Sequence, residues 1–140
     1  MGVLFFALNL VFGIAIPLAI QVWDRDRLSD EERAWVWGYA SWGSALYNFG
    51  PLSLVAWGYV TRSPRYLRGL AVGVGWTGVA LVAQGVFGEV FGRLLRVPER
   101  QLEQARSGVV GAFVVACILA VIIGTGRAIY EAARGGAGRA

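Results

Sequence analysis

The chain has 140 residues, of which 56% are hydrophobic and only 16% charged, with a mean hydropathy of +0.56. That is too apolar for a water-soluble domain of this size, and the charges fall between long apolar stretches rather than along helix faces. The net charge of +4 rests on 13 arginines flanking those stretches, which reads as membrane flanking and not as a nucleic-acid surface.

The first apolar stretch, about 3–22, is long enough for a bilayer's hydrocarbon core, which takes roughly 20 residues per helix. Backbone polar groups in lipid must pair within the segment, so a helix is expected. Met1 and Gly2 lead straight into apolar residues without a basic region, and no small-x-small cleavage site follows Pro17, so this helix is expected to be retained. Asn9, Gly13, Pro17 and Gln21 recur every four residues and mark one face. The connection that follows carries Asp24, Asp26, Asp30, Glu31 and Glu32, which read as solvated charges.

The second stretch, about 34–60, predicts another crossing helix. Trp37-Gly38-Tyr39 and Trp57-Gly58-Tyr59 lie 20 residues apart, which along one helix is roughly 30 Å, so the two triplets are expected at opposite membrane faces. Ser41, Ser44 and Asn48 share a face, and Pro51 leaves the carbonyl of Tyr47 without its helical donor. The third stretch, about 69–91, carries Thr77 and Gln84 on one face, with Glu89 the one acid well inside an apolar span. Glu89 is either a buried carboxylic acid able to donate a proton or the partner of Arg93 four residues on.

Pro98 sits where a helix would begin, so 99–106 reads as a short surface helix leading to the fourth stretch, about 108–127. Gly108, Ala112, Ala116, Ala120, Gly124, Ala128 and Ala132 form a ladder at every fourth position, the pattern by which membrane helices approach closely. It predicts a seam within the chain, or one toward a second copy or a larger membrane complex through Gly108, Ala112, Ala116, Ala120 and Gly124. The tail, 134–140, reads as flexible.

The expected fold is therefore an all-α integral membrane protein, four transmembrane helices in a single small bundle over 1–140. With four crossings both termini share one side of the cell membrane, and the arginines divide six against seven, which leaves orientation to the acid-rich first connection and favours cytoplasmic termini.

Histidine is absent and Cys117 is the single cysteine, which removes the usual haem, zinc and iron–sulfur ligands; no cofactor and no metal are expected. Polar groups inside apolar spans are the remaining functional signal, because each is costly there unless partnered. They predict a site for a lipophilic small molecule lined by Tyr47, Asn48, Trp76, Gln84, Trp42 and Phe49. Glu89 would be the catalytic acid, Asn48 and Gln84 would orient the ligand, and the rings would shape the pocket. Acid-initiated isoprenoid (terpene) cyclisation or isomerisation suits an inventory of one acid, aromatic rings and no metal. A small proton-coupled transporter using Glu89 and a non-catalytic subunit of a larger complex are the alternatives.

Overall fold

The computed structural model describes residues 2–36 and 38–137. They form six α-helices: α1 (Gly2–Arg25), α2 (Asp30–Ala34), α3 (Tyr39–Phe49), α4 (Ser53–Thr61), α5 (Tyr66–Leu94) and α6 (Glu99–Ala137). Short 3-10 turns at Gly50–Leu52 and Ser63–Arg65 join α3 to α4 and α4 to α5. Three of the helices, α1, α5 and α6, are long and apolar enough to cross a membrane.

The expected second crossing helix, 34–60, is not one helix. Gly50 adopts φ 50° and ψ −128°, a conformation open to glycine and strained for other residues, and Pro51 follows without an N–H to donate. The chain reverses there. The rings of Trp42 and Trp57 meet edge-on with centroids 4.7 Å apart, whereas along one helix fifteen residues would separate them by about 22 Å. α3 and α4 are thus the two arms of a helical hairpin. The expected span between aromatic belts goes with it: Trp37 lies outside the described residues, and Trp57 is 2% exposed in the core.

The hairpin is pinned at both ends. Its tip lies against the middle of α1, where a Cβ on Gly50 would stand 3.4 Å from the Gly13 carbonyl oxygen. At its open end Arg62 forms an ion pair with Asp24 at 2.9 Å, and the Trp57 indole N–H donates to the other Asp24 oxygen at 2.9 Å. Asp24 is buried, at 4% exposure, rather than a solvated loop charge. Arg62 also donates to the Thr61 hydroxyl at 3.1 Å. Between tip and end, α4 packs backbone to backbone on α5. A Cβ on Gly58 would collide with the Gly69 carbonyl and stand 2.6 Å from the Gly73 nitrogen, so Gly69 and Gly73 form a docking strip for α4.

α5 runs antiparallel to α1, with Trp23 beside Trp76 (5.2 Å) near one end and Phe12 stacked on Phe87 (4.8 Å) further along. α6 returns along α5, from Leu102 over Gly92 to Gly124 against Leu70. The surface helix expected at 99–106 is continuous with the last apolar helix, a single element of 39 residues. That helix continues through Ala137, past the start of the expected flexible tail, and 138–140 lie outside the described residues. Only the centre of the small-residue ladder is used inside the chain: Ala116 is fully buried, whereas Gly108, Ala128 and Ala132 are exposed. A four-residue repeat advances about 40° per step around a helix of 3.6 residues per turn, so seven members cannot all face one neighbour.

Candidate functional site

Midway along the α1–α5 interface, two amides and two glycines form a reciprocal pair. Asn9 lies against Gly88, where a Cβ would meet its Oδ1 at 3.4 Å, and Gln84 lies against Gly13, where a Cβ would meet its Nε2 at 3.2 Å. Both helices contribute an amide and a glycine four residues apart, and antiparallel packing sets each amide on the other helix's glycine. A Cβ at 13 would be tight against the Gln84 amide, and one at 88 would stand in ordinary contact with Asn9. Asn9 Nδ2 donates to the Phe5 carbonyl at 3.0 Å, and Gln84 Nε2 reaches the Asn9 carbonyl at 3.4 Å.

Two clefts meet at this amide pair. The larger, about 630 Å³, lies between α1, α5 and the first turns of α6. Its apolar walls include Phe5, Leu81, Leu102 and Val109, and its polar members include Asn9, Gln84, Gln101, Glu89 and Arg106. The smaller, about 340 Å³, lies between α1 and α3. Phe6, Asn9, Pro51 and Gln84 line both, so the hairpin tip and the amides stand where the clefts join. Beside the tip, the buried Thr77 hydroxyl donates to the Pro51 carbonyl at 3.2 Å and back to Gly73 O at 2.8 Å. The reversed backbone is thereby partly satisfied by α5.

Part of the larger cleft's wall is charged. Arg93 reaches Glu89 from one turn on at 2.7 Å, and Arg106 reaches it from α6 at 2.8 Å, with a second contact to the other carboxylate oxygen at 2.9 Å. Arg106 also approaches Glu99 at 3.5 Å. This cluster ties α5 to α6 and occupies both oxygens of Glu89. In this arrangement Glu89 bridges Arg93 and Arg106.

The residues expected to form one site are divided among several places. Glu89 and Gln84 line the larger cleft; Gln84, Tyr47 and Asn48 line the smaller. Tyr47 is 75% exposed, and Asn48 returns its amide N–H to the Ser44 carbonyl of its own helix at 2.8 Å. Trp42 is buried against Trp57 and lines a third cleft of about 270 Å³, with Arg25 and Arg33 among its lining residues. Trp76 packs on Trp23, and Phe49 is exposed on α3; neither lines these three clefts. The stripe on α1 is split between uses: Asn9 and Gly13 face the cleft region, Pro17 is buried, and Gln21 approaches the Ser53 hydroxyl at 3.5 Å.

Asn9, Pro51 and Arg106 join the site without having been assigned to it from the sequence. The signal for Asn9 was its four-residue spacing to Gly13, which becomes a contact pattern only when matched with Gln84 and Gly88. Arg106 carried no such signal, since its partner stands 17 residues away on another helix. No family model, curated protein or solved structure matches the chain, so its own residues carry the functional reading.

Proposed function

We propose that this is an integral membrane protein that binds a lipophilic small molecule in the cleft between α1, α5 and α6. The observation that carries the reading is the cleft itself: about 630 Å³, mostly apolar, with two amides at its inner end. The apolar faces of α1 and α6 support the membrane setting, since only 11% and 6% of their most apolar windows are buried within the chain.

In this reading α1, α5 and α6 cross the bilayer and the α3–α4 hairpin is re-entrant. Its arms of 11 and 9 residues rise about 16 and 13 Å, near half of a hydrocarbon core of roughly 30 Å. Non-helical backbone at that depth is tolerated where it is buried in protein or lines a cavity, and Gly50 and Pro51 line the smaller cleft beside Gly13.

Three crossings put the termini on opposite faces, in place of the shared cytoplasmic side expected from four. The arginine division changes with them. Among the described residues, Arg25, Arg27, Arg33, Arg62, Arg65, Arg68, Arg127 and Arg134 fall at one end, against Arg93, Arg96, Arg100 and Arg106 at the other. Eight against four favours a cytoplasmic C-terminus of α6. Reporter fusions that are active on only one side of the membrane should therefore give opposite results at the two termini. The same result at both would return the chain to an even number of crossings.

Acid-initiated conversion of the ligand is a second reading, favoured by one observation: Glu89 is the only carboxylate lining the cleft among the described residues. Donation requires its release from Arg93 and Arg106. One experiment addresses both readings, mass spectrometry of lipophiles retained by wild type, Gly85→Leu and Glu89→Gln. A Cβ at Gly85 meets only Val109, at 3.9 Å, so leucine there fills the cleft without a backbone clash. Wild type is expected to retain a lipophile that Gly85→Leu loses; equal retention would sink the binding reading. Accumulation of an unconverted precursor by Glu89→Gln supports the acid step, and identical ligand in both forms removes it.

A further inference from the structure

Each amide of the pair spends one N–H on a backbone carbonyl. Asn9 Nδ2 is engaged by the Phe5 carbonyl and Gln84 Nε2 by the Asn9 carbonyl. Among the described residues, no protein donor is bonded to Asn9 Oδ1 or Gln84 Oε1. Both side chains line the larger and the smaller cleft, so these acceptors stand at the junction, next to the Pro51 tip. The two amides therefore bring to the cleft two carbonyl oxygens without a protein donor, and each keeps one further N–H.

We infer that the ligand is a lipophile bearing a hydrogen-bond donor, a hydroxyl in the first instance, whose O–H is held by Asn9 Oδ1 and Gln84 Oε1 while its hydrocarbon lies along Phe5, Leu81, Leu102 and Val109. This rests on the cleft-binding reading above and narrows it. The physical ground is asymmetric. Water in an empty cleft can serve both oxygens, and a ligand that displaces it without a donor leaves them unsatisfied in apolar surroundings. A ligand with a hydroxyl restores the bond. Ethers and hydrocarbons of the same shape are thus selected against by what they fail to donate, as in sites that reject an analogue lacking one hydroxyl.

The test is equilibrium binding of a radiolabelled C15 isoprenoid alcohol and its methyl ether to protein reconstituted in lipid nanodiscs. Wild type should bind the alcohol about tenfold more tightly than the ether, the ratio expected of one ordinary hydrogen bond. Gln84→Leu should lower the alcohol's affinity toward that of the ether and so shrink the ratio between the two probes. The wild-type comparison is decisive even if Gln84→Leu folds poorly. Equal wild-type affinity for both probes, with Gly85→Leu blocking both, overturns the donor requirement and leaves the cleft reading standing. If wild type binds neither probe better than Gly85→Leu does, the cleft reading falls and takes this inference with it.

Discussion

Replacing Gly58 by leucine should undock the hairpin and abolish recovery of folded protein. Its Cβ would collide with the Gly69 carbonyl and stand 2.6 and 2.7 Å from the Gly73 nitrogen and Cα, all of them backbone atoms of α5. A flexible side chain could move aside; a helix backbone can yield only by separating α4 from α5. Overpacking a side-chain core costs about 1–3 kcal/mol, and a clash with backbone along the main α4–α5 contact should exceed that range. Separation would also lift the buried Leu54 and Val55 from α5 and withdraw Pro51 from Thr77. Size-exclusion chromatography in detergent with a thermal-stability readout measures the effect. Gly111→Leu is the control, because a Cβ there meets nothing within 4 Å. A Gly58→Leu protein as monodisperse and stable as Gly111→Leu would refute the backbone-packed hairpin.

Asp24→Asn should be the most damaging isosteric change in the chain, destabilising it by about 3 kcal/mol. Asparagine keeps the shape and can still accept from the Trp57 indole, so the loss isolates the charge. Side chains of Arg62 and Asp24 are only 12% and 5% exposed, so the guanidinium would be left buried without its counter-charge. Removing one partner of a buried pair costs more than removing both. The double variant Asp24→Asn/Arg62→Gln should therefore recover much of the loss, with the coupling read from a double-mutant cycle in thermal unfolding. Additive losses would mean that Arg62 reaches water in the single variant and that the pair is not the clamp at the hairpin's open end.

Both results concern the feature least visible in the sequence. The largely apolar stretch at 34–60 suits one crossing helix or two half-length arms equally well, and hydropathy does not separate them. Pro51 was legible as a missing helical donor, yet a proline in a membrane helix reads first as a kink. The positive φ at Gly50 and the meeting of Trp42 with Trp57 turn the break into a reversal. Asp24 went the same way: it stands in an acidic run that looks solvated, and its burial depends on an arginine 38 residues further on. The ion pair of Glu89 with Arg93 was legible from their four-residue spacing. The bidentate contact from Arg106 lay beyond any local pattern.

By itself the sequence determined the long apolar helices, through the length and composition of 3–22, 69–91 and 108–127, and the small-residue spacings that let helices approach. It also determined the ingredients of the amide pair, since Asn9 with Gly13 and Gln84 with Gly88 each recur at helical spacing. Tertiary structure alone decided that the second apolar stretch folds back, that the amides meet the opposite glycines, and that Glu89 is held by two arginines. The physical reason is range. Helix formation and hydropathy are set by neighbours within a turn or two, whereas a reversal, a backbone contact and a bridging ion pair depend on partners that only the packed chain brings together.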